Sequence, residues 1–169
     1  MEFGPRALGS RSILFHAKDK SANDWLNKRL KRTEFMPFAP VTPIELANKC
    51  YENWDKKNSC TPFMTQTFKC KKDFILRHPA VVHIDDTARP QVIDSKINKI
   101  YYNVVNKYCK ITGNKALINT SFNQHEEPIV CSPNDAIKSL LSDEQVYAKI
   151  YEGEKFDCGS KMGFIHATI

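Results

Sequence analysis

The sequence lacks the long apolar segments of a membrane protein. None of its apolar runs approaches the roughly 20 residues that a membrane-crossing helix needs. The N-terminal stretch MEFGPRALGSRS also lacks the basic and then apolar layout of a secretory signal peptide. Gly/Ser linkers, internal repeats and low-complexity tracts are absent as well. We therefore expect a cytoplasmic protein that forms one domain over residues 1–169, a length sufficient for a proper core.

Motifs for structural metals and for nucleophilic catalysis are also missing. The six cysteines are scattered without a Cys-x-x-Cys pair, which favours reduced thiols over a zinc site or a disulfide framework. His125-Glu126-Glu127 has no second histidine at zinc-binding spacing. No Ser/His/Asp or Cys/His arrangement is legible. Cys131 follows an apolar pair, so we expect it in the core rather than in a nucleophilic role.

Positive charge is what the chain has in excess. Its 25 lysines and arginines outnumber 19 aspartates and glutamates, which gives a formal charge of +6 and a pI near 9.0. Such a surface favours anionic partners, namely nucleotides, phosphorylated metabolites or a nucleic-acid backbone. Charge alone does not separate these three classes, and it is also compatible with a purely solubilising role.

Three amphipathic helices and several strands alternate along the chain. Ser21 followed by Asp24 resembles the start of a helix that runs to Leu30. Asp94 is expected to cap a second helix, which Gly113 ends. Cap signals at 132–135, with an N1 proline, predict a third helix through Leu141. Strands are predicted at 61–69, 79–84 and 116–119, and the three prolines of 37–43 predict a stiff extended segment. This alternation indicates an α/β or α+β sheet domain.

Two loops carry groups that suit phosphate oxygens. Asn119, Ser121 and Asn123 follow a buried-looking strand and offer two amides and a hydroxyl. The alternative is a turn in which these side chains satisfy their own backbone. The N-terminal loop offers Arg6 and Arg11 beside glycines, and arginine forks match phosphate geometry. No Gly-Lys-Ser/Thr ends that loop, so it is not a Walker motif.

Two further segments leave alternatives open. The basic cluster at 28–32 is either an anion site or a helix end whose charges complement the dipole. In 83-HIDDTARPQ-91, Asp85 and Asp86 could hold Mg²⁺ through water, or Asp85 could orient Arg89. The same residues also suit an ordinary turn. Together, these segments predict a binding site in which several arginines and an amide-rich loop surround a polyanion.

Four strings in this order resemble a known family: EFGPRALGSRSIL, LNKRLKRTEFMPFAPVTP, HIDDTARPQ and ALINTSFNQHEEPIVCSPNDAI. They resemble the C-terminal domain of O-carbamoyltransferases of the NodU/CmcH type over about residues 1–141. The tail at 151–169 departs from the usual ending of that family. The resemblance implies a YrdC-like fold, which is an open, twisted, mixed α/β sheet with flanking helices around a basic nucleotide site.

The resemblance also implies an activity. The family domain binds ATP and carbamoyl phosphate and, with Mg²⁺, makes a carbamoyl-adenylate. A larger N-terminal domain of the actin-like superfamily then passes the carbamoyl group to an acceptor hydroxyl. That domain holds a metal ion, expected to be iron, through histidines. Nothing in this chain matches it, so we expect the chain to be a fragment whose partner is the N-terminal domain of the same full-length protein.

The site residues implied by the resemblance fall into two sets. Catalytic roles are implied for Arg6, Lys31, Arg32 and Arg89. Contacts to nucleotide or carbamoyl phosphate are implied for Arg6, Arg11, Ser12, Arg89, Asn119, Thr120, Ser121 and Asn123. No metal site is expected in this domain. The family lysine falls on Leu30 or, with a one-residue shift, on Lys31, and Met36 replaces a family arginine. The loss of these anchors implies either weaker binding of one phosphate or compensation by Lys28, Arg29 or Lys31.

No general base is evident, and none is required because carbamate is already an anion. His83 and His125 are the titrating candidates near the motifs. The alternative function is a basic nucleic-acid-binding module of the same fold. It would use the Lys/Arg surface with tyrosine and phenylalanine rings for stacking. Membrane binding is not expected.

Overall fold

The computed structural model describes residues 6–32, 37–124 and 127–141. Contacts divide the chain into two units, Met1–Ser139 and Leu140–Ile169, and the description below concerns the first. The strands are β1 (Ser12–His16), β2 (Ala39–Pro43), β3 (Phe68–Lys69), β4 (Thr87–Ala88), β5 (Gln91–Ile93) and β6 (Leu117–Ser121). The helices are α1 (Ser21–Arg29), α2 (Ile44–Cys50), α3 (Lys72–Arg77), α4 (Lys99–Thr112) and α5 (Pro133–Leu141).

Four strands form a mixed sheet in the order β1-β6-β2-β5. Strand β6 pairs antiparallel with both neighbours, Ser12 lying opposite Ser121 and Ala39 opposite Asn119. Strands β2 and β5 pair in parallel, with Val41 opposite Gln91. Strands β3 and β4 form a separate antiparallel pair. The predicted mixed, open sheet with flanking helices is therefore confirmed.

Strand β2 lies between β6 and β5 and is buried along its whole length. It is the proline-rich segment that was predicted to be extended, and that prediction is confirmed from Ala39 onward. Proline has no N–H to donate, so Pro40 and Pro43 limit the hydrogen bonds that this strand contributes. Its pairing with each neighbour is correspondingly short, three residues on each side.

The sheet is packed on both faces. Leu117 belongs to a cluster with Val41 and the buried face of α4, whereas the next residue, Ile118, belongs to a larger cluster around Phe74 and Tyr51. Successive strand side chains point to opposite faces, so this division follows from the pleat of β6. The core is therefore two layers of side chains with the sheet between them.

Two predicted strands are largely wrong. Of 61–69, only Phe68–Lys69 is a strand, while Thr61–Phe63 forms a 3₁₀ turn that Met64 ends in the left-handed region, at φ 56°. Of 79–84, Pro79–Val81 forms another 3₁₀ turn. Proline at the start of such a turn loses no hydrogen bond, since the first N–H groups are unpaired in any case. Phe68 and Val81 reach the core without joining the main sheet, whereas Phe63 and Ile84 are exposed.

Two of the predicted helix starts are shifted. Ser21 is the first residue of α1 and not its cap, and its N–H donates to Asp19 Oδ1 at 2.9 Å. Asp94 accepts from the N–H groups of a turn at 95–97, while Asn98 caps α4 by accepting from Tyr101 N–H. In each case a second polar residue close by in the sequence competes for the role.

The remaining helix signals are confirmed. Gly113 ends α4 at φ 71°, in the left-handed region that glycine adopts without strain. At α5, Asp135 N–H donates to Ser132 Oγ and Ser132 N–H donates to Asp135 Oδ2, which is a reciprocal capping box. Helix α4 buries Tyr101, Val105 and Cys109, while its other apolar residues at 100, 104 and 111 are exposed.

The five cysteines in the described part of the chain are free thiols, as predicted. Cys131, however, is exposed and does not lie in the core, because it sits in the loop that leads into the capping box of α5. No helix within the described ranges is long and apolar enough to cross a membrane. Cytoplasmic location stays a prediction. Met36, His125, Glu126 and the tail at 151–169 lie outside the described residues.

Candidate anion-binding cleft

An open cleft of about 200 Å³ lies where β6 ends and β2 begins. The antiparallel pairing of these strands brings residues 119–121 next to Ala39. The described lining consists of Arg6, Ala7, Arg32, Pro37, Phe38, Ala39, Met64, Arg89, Asn119, Thr120 and Ser121. Six of these residues are ones for which sequence reasoning implied a role. The fold therefore brings together five segments that are far apart in the chain.

Arg6 and Arg89 line the same cleft, and its described lining has no carboxylate to balance them. Partial burial lowers the pKa of Arg89, and the positive charge of Arg6 lowers it further. Neither guanidinium has an ion-pair partner among residues 6–32, 37–124 and 127–141. Two neighbouring cations, one of them half-buried, raise the energy of the empty cleft, and a bound anion would remove that cost.

Arg32 is held in place by two contacts. Its Nη2 donates to Thr120 Oγ1 at 2.9 Å, and its guanidinium lies 4.8 Å from the centre of the Phe38 ring. Burial lowers its pKa. The chain turns into this position at Lys31, whose φ of 53° lies in the left-handed region. A guanidinium stacked on a ring and bonded to a hydroxyl is already oriented before a ligand arrives.

Asn119 ties three segments together beneath the arginines. Its Nδ2 donates to the carbonyl of Ala7 at 2.8 Å and to Gln91 Oε1 at 2.7 Å. Tyr101 O–H donates to the same Gln91 oxygen at 3.1 Å. Asn119 is 2% exposed, and its Oδ1 has no hydrogen-bond partner in the described part of the chain. The network therefore positions the loop of Arg6 against the end of β6.

Gly9 allows the N-terminal loop to approach α4. Its φ is +117°, and an added Cβ would lie 2.5 Å from the Tyr101 ring. Any side chain there would clash with the ring, and an L-residue would also be strained at this φ. Gly9 therefore packs against the ring of Tyr101, whose hydroxyl bonds Gln91.

Four of the implied site residues lie outside the described lining. Ser12 Oγ accepts from Gly9 N–H at 3.1 Å, and Arg11 supplies a carbonyl to Phe122 N–H. Lys31 is exposed. Asn123 Nδ2 donates to the carbonyls of Gln124 and Glu127, so this asparagine holds its own loop together. Their roles toward a ligand remain predictions.

The segment around Asp85 is a self-contained turn. Asp85 Oδ1 accepts from Thr87 N–H at 3.0 Å and from Thr87 O–H at 2.7 Å, which lowers the pKa of Asp85. Asp86 pairs with Lys69 at 3.8 Å. No His, Cys, Asp or Glu side chains gather into a metal-binding group of three within the described residues. The described lining of the cleft has no carboxylate, so these residues do not fit Mg²⁺ on their own.

Sequence reasoning missed the residues that support the cleft. Gln91 is 2% exposed and bonds both Asn119 and Tyr101, and Phe38 lies under Arg32. Ala7 contributes only its carbonyl, and Met64 Sδ lies 4.0 Å from Asn119 Nδ2. The available signal was position, since each of these residues except Met64 lies within one of the four strings quoted above.

Comparison with known proteins supports the resemblance to the carbamoyltransferase family. A family model described as "Carbamoyltransferase C-terminus" matches residues 1–151. An uncharacterized protein of Methanocaldococcus jannaschii is 43% identical over 141 residues, which cover 83% of this chain and 26% of that protein. "Nodulation protein NolNO" of Sinorhizobium fredii is 41% identical over 83% of this chain and 21% of its own length. "Nodulation protein U" of Rhizobium tropici is 36% identical over 73% and 21%, respectively. The chain thus spans about a quarter of the length of these curated relatives or less.

Proposed function

The chain belongs to the carbamoyltransferase C-terminal family, and from this premise we propose that its cleft binds ATP and carbamoyl phosphate and forms a carbamoyl-adenylate. The observation that carries the proposal is the convergence of Arg6, Arg32 and Arg89 in one cleft. Two of the three have lowered pKa values because the fold partly buries them. Such burial is costly unless an anion binds there.

The chemistry joins two anions, which explains why several fixed cations are needed. Water cleaves carbamoyl phosphate to carbamate and inorganic phosphate. A carbamate oxygen then forms a bond to the α-phosphorus of ATP, and the bond to the β-phosphate bridging oxygen breaks, releasing pyrophosphate. The product is a carbamoyl-adenylate, a mixed anhydride. An anion attacks a polyanion in this step, so the barrier depends on neutralising charge that is already present.

The residues of the cleft would divide this task. Arg32, oriented by Thr120 and Phe38, presents a fixed fork to a phosphoryl group. Arg6 and Arg89 both line the cleft and would neutralise the second anionic group. Ser121, at the end of β6, contributes a hydroxyl. No general base is required of the protein, since carbamate carries its own negative charge. Mg²⁺ would enter with the nucleotide phosphates, and no protein ligand for it is assigned.

Transfer to the acceptor is assigned to the remainder of a longer protein. The relatives are about four to five times as long as the part that this chain matches. We propose that an actin-like domain with a histidine-bound metal ion, expected to be iron, takes the carbamoyl group to an acceptor hydroxyl. The 169-residue chain would then carry out adenylate formation alone.

Isotope exchange tests the proposal directly. Radiolabelled pyrophosphate should enter ATP in the presence of the chain and carbamoyl phosphate, because adenylate formation is reversible. Exchange should depend on carbamoyl phosphate and fall by about 10²–10³-fold in Arg32→Ala, the usual effect of removing one preorganised charge-stabilising donor. Arg77→Ala, which removes an exposed arginine paired with Asp73, is the matched control. No exchange together with no binding of ATP or carbamoyl phosphate would refute the proposal.

The same samples test the nucleic-acid alternative. A nucleic-acid module should bind single-stranded RNA with an affinity that falls steeply as salt rises. A nucleotide cleft should prefer ATP, and RNA should not displace it at comparable phosphate concentration. RNA binding that competes with ATP and is lost in Arg89→Ala would favour the alternative.

A further inference from the structure

Asn119 is a buried amide in the lining of the arginine cleft. The described residues include several buried polar atoms without partners, on Asn23, Asn27, Trp54, His78, Asn119 and Asn123. Asn119 alone among these residues lines the cleft. A buried acceptor without a partner is destabilising, and in a binding site it indicates a hydrogen-bond donor on the ligand.

The orientation of this amide follows from its neighbours. The main-chain carbonyl of Ala7 can only accept, so the group 2.8 Å from it must be the nitrogen of Asn119. The second hydrogen of that nitrogen goes to Gln91 Oε1 at 2.7 Å. Rotating the amide by half a turn would place two oxygens against each other at Ala7. The oxygen of Asn119 is therefore the acceptor that the described residues leave without a donor.

The orientation of the Gln91 side-chain amide is fixed by the same reasoning. Its Oε1 must face Asn119 Nδ2, and Tyr101 O–H donates to that same oxygen at 3.1 Å. The chain of assignments runs from Ala7 through Asn119 and Gln91 to Tyr101 without an alternative at any step. Such an amide cannot rotate to suit a ligand that lacks a donor, and rigid polar groups of this kind give strong discrimination.

On this basis, and resting on the proposed function, we propose that Asn119 Oδ1 accepts a hydrogen bond from the amide N–H of the carbamoyl group and thereby selects carbamoyl phosphate over other acyl phosphates. The arginines recognise the phosphate, which every acyl phosphate has. The donor N–H distinguishes a carbamoyl from an acetyl group, in which a methyl replaces the amino group at nearly the same size.

The test compares carbamoyl phosphate, acetyl phosphate and inorganic phosphate by calorimetry on the same chain. The wild-type chain should bind carbamoyl phosphate at least about tenfold more tightly than acetyl phosphate, because the acetyl group leaves Asn119 Oδ1 unpaired. Asn119→Leu should reduce that ratio to about one, with the binding of all three anions weakened in common because the loop of Arg6 also loses its bond to Asn119. Asn103→Leu makes the same change on the exposed side of α4 and should leave the ratio unchanged. If Asn119→Leu does not fold, the affinity ratio of carbamoyl phosphate to acetyl phosphate is measured in Asn119→Ser and compared with that of the wild-type chain.

The outcomes separate this inference from the proposed function. Equal affinity of the wild-type chain for carbamoyl and acetyl phosphate would overturn the role of Asn119 and leave carbamoyl phosphate binding intact. Loss of all three ligands and of ATP would overturn the proposed function and this role with it. ATP compared with inosine triphosphate shows whether the donor belongs to the base instead. The inference would also be overturned by a particular combination of results: a strong preference for ATP over inosine triphosphate that Asn119→Leu removes, together with equal affinity for the two acyl phosphates.

Discussion

Arg32 donates a hydrogen bond of 2.9 Å to Thr120, a residue 88 positions away in the sequence. This bond joins the segment after α1 to the end of β6, and it aims a guanidinium that burial has made costly to leave unpaired. The bond between these two residues defines one wall of the cleft.

The geometry of Arg32 should matter more than its charge. Arg32→Lys keeps the positive charge but loses the fork and the planar contact with Phe38. We expect ATP or carbamoyl phosphate affinity to fall by about tenfold or more, because a lysine does not bind a phosphoryl group through two parallel bonds. Calorimetry measures the change, and Lys28→Arg is a surface control. Wild-type affinity in Arg32→Lys would show that only charge is needed.

Arg89→Ala should weaken ligand binding without lowering thermal stability. The Arg89 side chain is half-buried beside Arg6, and the described residues offer no carboxylate to it, so the fold gains little from it in the absence of an anion. We expect an unchanged or higher melting temperature together with at least a tenfold loss of phosphate affinity. Thermal melts and calorimetry report the two quantities separately. A large drop in melting temperature would mean that Arg89 is structural.

Gly9→Ala should disrupt the cleft from a distance. The new Cβ would meet the Tyr101 ring at 2.5 Å and would sit at a φ of +117°. The N-terminal loop must then shift, which displaces Ala7 and Arg6 together. We expect destabilisation of about 1–3 kcal/mol, as is usual for a strained backbone position, and weaker ligand binding. Ser10→Ala on the same loop is the control, and denaturant unfolding is the measurement.

His78 should make the fold sensitive to acid. It is fully buried, its Nε2 accepts from Lys115 N–H at 3.0 Å, and burial lowers its pKa from 6.5 to about 4. Between those pH values the unfolded chain binds a proton that the folded chain does not. Stability is therefore fully present above pH 6.5 and decreases as the pH falls toward 4, by about 3 kcal/mol at 1.36 kcal/mol per pKa unit. In His78→Gln, which keeps an acceptor but does not titrate, this part of the pH dependence should disappear. Urea melts across this range would show it, and identical slopes in both proteins would contradict it.

Thiol chemistry should distinguish buried from exposed cysteines. Burial raises the pKa of Cys50 and of Cys70 to about 12 and that of Cys109 to about 11. Thiolate is the reactive form, so these three should resist iodoacetamide in the native state. Cys60 and Cys131 are exposed and should be alkylated first. Peptide mass mapping before and after unfolding measures this, and native labelling of Cys50 would contradict the packing described here.

Local signals in the sequence predicted the parts of the fold that local interactions determine. Ser132 and Asp135 cap α5 through bonds across three residues, and Gly113 ends α4 through its own backbone conformation. The strand predicted at 61–69 failed because residue type alone does not decide whether a segment finds a pairing partner. The start of α4 was misplaced because Asp94 and Asn98 both suit a cap, and only the turn between them decides.

The candidate site also has parts that the sequence predicted and parts that it did not. That Arg6, Arg89 and Ser121 share a cleft follows from sheet order and long-range packing, which no local pattern contains, and the expectation came from resemblance to a family. The role of Gln91 was not predictable, since it depends on which way Asn119 points. Asn123 illustrates the opposite case, because its contacts within its own loop were the alternative stated from the sequence.

The composition of the cleft from five separate chain segments has a practical consequence. A ligand that bridges Arg6, Arg32, Arg89 and residue 121 would act as a non-covalent cross-link between the two ends of the first unit. Such a ligand shifts the melting transition upward, by about 2.7 kcal/mol of added stability when it is present at 100 times its dissociation constant. A melting screen over phosphorylated metabolites can therefore rank ligands of this chain without an assay for turnover.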